Sequence, residues 1–175
     1  MVLPSTFVLY ATYRYGWDTK TVGLTLAAVG VCSMAVQGTT IGPIVKRFGE
    51  RRALLLGLGC GALGFLIFGA APSGPLFWLG IPVMALWGVA GAAVQALMTR
   101  LVAPDQQGQL QGATSSVQSV SQLVGPFLFT LTFAYFIGAQ APLQLPGAPF
   151  LLASALLVLA LVIAARTLAA RKSLA

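Results

Sequence analysis

Gly42-Pro43-Ile44-Val45-Lys46-Arg47-Phe48-Gly49-Glu50-Arg51-Arg52 decides the fold, because it packs four of the chain's ten Lys and Arg residues into seven positions. Residues 21–45 before the basic positions and 53–99 after them carry no formal charge. A hydrocarbon core about 30 Å thick takes about 20 apolar residues of helix to cross. The stretch therefore reads as a short connection between two membrane spans, with its bases at the lipid surface.

Working outward, residues 106–165 form a third uncharged run, and only 7% of the 175 residues are charged while 58% are hydrophobic. A soluble domain carries roughly 25% charged residues. The fold class expected is all-α: a polytopic membrane helix bundle with spans at about 21–45, 53–71, 76–98, 112–137 and 149–165. Residues 1–13 are apolar, but at about 1.5 Å per residue they reach only about 20 Å. They are either a re-entrant piece or the outer half of a helix whose beginning is missing, and the second is the expectation.

The net charge of +7 sits in short loops and the tail, so nothing forms the basic stripe of a nucleic-acid surface. The partner expected instead is the lipid bilayer. Lys46, Arg47, Arg51, Arg52, Arg100, Arg166, Arg171 and Lys172 fall on one side of the alternating loops, Arg14 and Lys20 on the other. Eight against two puts the 46–52 loop and the C-terminus in the cytoplasm. On the opposite side, Tyr10, Tyr13, Tyr15 and Trp17 suit the headgroup level, where rings with a polar tip concentrate.

Polar residues inside the spans recur at helical spacing. Ser33, Gln37 and Thr40 share a face, as do Met84, Trp87, Gly88, Gly91 and Gln95. Gln111, Ser115, Gln118 and Gln122 form a stripe three turns long, which lipid cannot solvate. It packs on another helix or lines water, and water is expected. Gln37, Trp87, Gln95, Gln118 and Gln122 are the candidate lining of a substrate cavity, neutral amides and one aromatic suiting a bulky apolar molecule. Gly57, Gly61 and Gly64 share a face that lets another helix approach closely. The formal G-x-G-x-x-G at 59–64 lacks the preceding strand and the later acid of a dinucleotide site. The spans at 53–71 and 149–165 hold almost nothing polar and are expected outermost.

The acids are Asp18, Glu50 and Asp105, all in expected loops, and there is no histidine. Membrane serine chemistry needs a His or Lys base and an aspartyl type needs two carboxylates at depth, so the chain is expected not to be an enzyme. No metal or cofactor is expected. A proton relay normally needs an acid or histidine at depth, so the visible spans carry none.

Here residues 42–52 resemble the cytoplasmic loop signature of the major facilitator superfamily, in its second-half copy, at Gly42, Arg47, Gly49, Arg51 and Arg52. Lys46 stands where that pattern has an aspartate. Gly49-Glu50-Arg51-Arg52-Ala53-Leu54, Gly108-Gln109-Leu110-Gln111-Gly112 and Val124-Gly125-Pro126-Phe127-Leu128-Phe129-Thr130 are similar to the tetracycline-type drug:proton antiporters. Those carry a histidine and an aspartate where this chain has Ser33 and Gly61.

The resemblance implies the C-terminal six-helix half of a major facilitator fold, five full spans plus a partial first one. It implies a bacterial inner-membrane drug efflux antiporter working by alternating access. Its partners would be a drug-like substrate, protons and an N-terminal six-helix half holding the proton site. Gly42, Arg47, Gly49, Arg51 and Arg52 would act as a cytoplasmic gating loop, although topology marking alone also accounts for the bases. The alternative is a non-transporting membrane bundle, a truncated remnant or an assembly or regulatory partner, and a homodimer could cover the exposed Gln and Ser face.

Overall fold

The computed structural model describes residues 2–138 and 145–172. Among them every regular element is helical: α1 (Val2–Tyr15), α2 (Thr19–Ala35), α3 (Ile41–Ala70), α4 (Gly74–Ala85), α5 (Gly88–Thr99), α6 (Gln107–Ile137) and α7 (Ala148–Lys172). Of the uncharged loop expected at 138–148, residues 139–144 lie outside the described residues.

Local chemistry explains the ends. Gly16 has a positive φ of 62° and its N–H donates to the Thr12 carbonyl, the left-handed cap that only glycine adopts without strain. Asp18 then caps α2, its carboxylate accepting from the Thr21 N–H at 2.9 Å. The connection between α1 and α2 is three residues long.

α2 runs into α3 through one π-helical turn, Val36–Thr40, and the apolar helical run Thr19–Ala70 is 52 residues long. A straight helix of that length would reach about 78 Å, far beyond a bilayer. Gly49 breaks it, with φ 76° and ψ 161°, a region essentially reserved for glycine. The chain doubles back there, since Val22 and Phe68 meet in one buried cluster. The expected loop at 46–52 is thus one residue wide. Lys46 and Arg47 end the incoming helix, and Arg51 and Arg52 begin the outgoing one.

Below Gly49, α3 is the hub of the bundle. Gly57 abuts Ala90, Gly61 abuts the Trp87 indole, and Gly64 abuts the Met84 backbone, so closely that a Cβ on any of the three would collide. The close approach expected of this glycine face is therefore made, against α4 and α5. On another side Ser154 of α7 donates to the Ala62 carbonyl at 2.7 Å, and the Gly69 carbonyl occupies the place of a Gly147 side chain. This segment thus has three packed neighbours and one open apolar edge of Leu56, Leu63 and Leu66.

Two clusters hold the ends. At the basic end Ala53 and Leu54 pack on Val89, Ala90 and Ala93. At the other, Phe7, Tyr10, Phe68, Phe77 and Phe150 meet ring to ring, with Phe68 and Phe77 stacked at 4.2 Å. Tyr10 and Tyr15 also finish α3. The Phe68 carbonyl would bond the N–H of residue 72, but Pro72 has none; the Tyr10 hydroxyl donates to it at 3.0 Å, and Tyr15 donates to Ala71 at 2.8 Å. Tyr10 is fully buried.

α4 and α5 form a 26-residue run, Gly74–Thr99, interrupted at Leu86 and Trp87 by tight bonds such as Trp87 N–H to Met84 carbonyl. Pro82 lies inside α4, where its missing N–H leaves the Trp78 carbonyl one turn earlier without its helical donor.

Candidate functional site

The polar stripe on α6 is open. From Gln111 to Val124 every residue except Thr114 is exposed, and burial begins with Phe129 and Phe133, which pack toward α1 and α7. Gln118 and Gln122 are both exposed, while the neighbouring hydroxyls are satisfied within the helix: Ser119 donates to the Ser115 carbonyl and Ser121 to the Val117 carbonyl, each one turn back.

Trp87 is 38% exposed. It forms one wall of a cavity of about 460 Å³ shared with Phe65, Ser121, Gly125, Phe129 and Leu157, and its indole meets Phe65 edge-on at 5.7 Å. Gln118 and Gln122 lie outside that lining, about a quarter turn round α6 at about 100° per residue. Gln37 is exposed on the π-helical turn, its Cγ near Gly88 at the start of α5. Gln95 is half-buried on α5 and its backbone carbonyl accepts from the Thr99 hydroxyl. The structure thus brings Trp87 to α6 and Gln37 to α5, without gathering the five residues into one pocket.

Gly42, Arg47, Gly49, Arg51 and Arg52, the residues expected to form a gating loop, are all at the basic end and all exposed. Arg47 lies over the Phe48 ring at 5.7 Å. A cavity of about 720 Å³ opens between the Gly49 turn, the end of α5 and α7, lined by Glu50, Arg51, Arg52, Arg100 and Thr167 among others. Inside it Arg100 reaches Glu50 at 2.8 Å, with the Glu50 side chain only 12% exposed and that of Arg100 75%.

Three features of these sites escaped the sequence reading. The Glu50–Arg100 pair joins two expected loops; a single acid among the four bases of residues 46–52 was its signal. Ser121 and Gly125, rather than the amides, face Trp87, because the cavity lies beside the stripe and not under it. The π turn at Gln37 carries only the weak sign of Gly38-Thr39-Thr40, where Thr39 donates to the Ala35 carbonyl; such turns recur at functional positions. At the opposite end, Thr21 hydrogen bonds hold the Asp18 carboxyl below its ordinary range.

No group of His, Cys, Asp or Glu able to hold a metal occurs among the described residues. What the geometry offers is a polar helix face, an aromatic-walled cavity and a basic rim beneath a one-residue turn.

Comparison with known proteins places that geometry. The chain is 34% identical over 131 residues to the class C tetracycline resistance protein of Escherichia coli, which covers 73% of this chain and 32% of that protein. It is 36% identical over 136 residues to the class G protein of Vibrio anguillarum, 76% and 34%. With the human hippocampus abundant transcript-like protein 1 it shares 26% over 174 residues, 91% and 34%. The chain spans about a third of the length of these relatives, and no solved structure matches it. A family-wide profile, described as Major Facilitator Superfamily, matches residues 1–174. With its apolar helices, its glycine break between paired bases and this match along almost its whole length, the chain is a multi-pass membrane protein and belongs to the Major Facilitator Superfamily.

Proposed function

We propose that this chain is the C-terminal half of a secondary transporter exporting drug-like molecules by alternating access. It crosses the membrane five times, with α1 as part of a sixth crossing, and the Gly49 turn and the C-terminus face the cytoplasm of a bacterial inner membrane. Proton coupling is assigned to an N-terminal half, because no Asp, Glu, Lys, Arg or His stands within the spans here. The chain does no covalent chemistry of its own.

The observation that carries this reading is the uncovered Gln and Ser face of α6 on an apolar bundle. Leaving such a face against lipid is costly, whereas a second bundle rocking against it would enclose a midplane site of the kind secondary transporters use. The tetracycline resistance names of two relatives support a drug as the cargo. Neutral amides and Trp87 then bind by shape and hydrogen bonding, loosely enough to release.

The test is drug uptake into everted membrane vesicles containing this chain, the N-terminal half of the class G relative, or both. Uptake driven by a pH gradient is expected only with both. Uptake by this chain alone would overturn the half-carrier reading, and none with the well-inserted pair would overturn the exporter reading.

A further inference from the structure

The outer face of α3 below Gly49 holds a groove that the transport site does not use. Arg52, Leu55, Leu56, Gly59, Cys60 and Leu63 line it, closed on one side by Phe48 from across the Gly49 turn, and it encloses about 600 Å³. At about 100° per residue these positions form a single stripe, about half a turn from the packed face of Gly57, Gly61 and Gly64. Gly59 makes the dent, since nothing lies within 4 Å of where its Cβ would be. The groove is therefore long, apolar and turned toward the hydrocarbon.

Its upper end is of opposite character. Phe48 and Arg52 also line the basic cavity that contains Arg51 and Arg100, so the two spaces adjoin through shared residues. The acid in that cavity, Glu50, is already engaged by Arg100. Lys46, Arg47, Arg51 and Arg52 are exposed around it, leaving a surplus of positive charge where the helices meet the headgroups. An acyl-length apolar slot beneath an unneutralised arginine rim matches one amphiphile.

We infer that this is a binding site for one anionic phospholipid of the leaflet at the basic end, its phosphate against Arg51 and Arg52 and one acyl chain in the Leu55–Leu63 groove. Basic side chains at a membrane surface attract anionic lipid by about fivefold per residue, and the groove adds contact along the chain that an annular lipid on a smooth helix lacks. The inference goes beyond the transport reading and does not depend on cargo or coupling. A lipid lodged beside Gly49 would bear on both helices that the turn joins.

The test is native mass spectrometry of the purified chain, titrated with dioleoyl phosphatidylglycerol, dioleoyl phosphatidylcholine or inorganic phosphate. One phosphatidylglycerol is expected to bind at least tenfold more tightly than phosphatidylcholine. Arg52→Gln should lower that preference about fivefold, and Gly59→Leu, which fills the dent, should weaken both lipids severalfold. Arg14→Gln, at the opposite end, should change neither. Equal binding of the two lipids overturns the site, as does an equal loss in Arg14→Gln or displacement of the lipid by inorganic phosphate at matched concentration. Should Gly59→Leu fold poorly, Arg52→Gln carries the test, because its side chain is exposed.

Discussion

Replacing Gly49 with alanine probes the turn that divides the long helix. At φ 76° and ψ 161° an L-residue is held in a region that costs about 1–3 kcal/mol. Nothing lies within 4 Å of the added methyl, so the whole cost is torsional and no neighbour can relax to relieve it. Gly59→Ala is the matched control. That site is helical and equally open, and the substitution there should stabilise by about 0.5–1 kcal/mol through lost unfolded-state freedom. The two variants should differ by about 1.5–4 kcal/mol, with opposite signs. Gly49→Asn sharpens the point. Asparagine tolerates the left-handed helical region near ψ +47° but not an extended ψ, so it should rescue little at Gly49. The measurement is unfolding by sodium dodecyl sulfate in mixed micelles, followed by far-UV circular dichroism. A Gly49→Ala protein as stable as the parent, beside a normally stabilised Gly59→Ala, would refute the reasoning.

Tyr10→Phe keeps the ring cluster but strands the Phe68 carbonyl, which Pro72 cannot serve; a loss of about 1–3 kcal/mol is expected in the same unfolding assay. Tyr15→Phe, half-buried, should lose less. Because the folded Asp18 carboxyl titrates below its ordinary value, its contribution is present above that ordinary value, about 3.9, and is lost as pH falls through the folded value; Asp18→Asn keeps a cap and should abolish that acid-side dependence of stability. Gln118→Leu with Gln122→Leu, in a carrier with both halves, should change which drugs confer a growth advantage; an unaltered resistance spectrum would remove both residues from the cavity.

The helices were legible because membrane spans announce themselves by length and lack of charge, and the Gly57, Gly61 and Gly64 seam because close approach leaves a three-glycine face. What was not legible depends on partners far apart in the chain. Tyr10 reads only as an interfacial ring until Pro72 is seen to leave the Phe68 carbonyl to its hydroxyl. Likewise, the amide stripe on α6 identifies a polar face, but only tertiary placement shows that Ser121 and Gly125 meet Trp87 while Gln118 and Gln122 stay open. The break at Gly49 needed its backbone angles, since four bases around a glycine fit a floppy loop as well as a one-residue hinge.

The two clusters also differ in when they can form. The buried members of the Ala53 and Ala93 cluster are all made once α5 has emerged, with only Ala164 of α7 added later, so the basic end can close while synthesis continues. The aromatic end must wait for Phe150 of α7, although Phe7 and Tyr10 were made first. At about 5–20 residues per second the ribosome leaves those early rings without their last partner for several seconds. During that interval α1 and the end of α3 present aromatic surface to whatever insertion machinery or neighbouring chain is at hand.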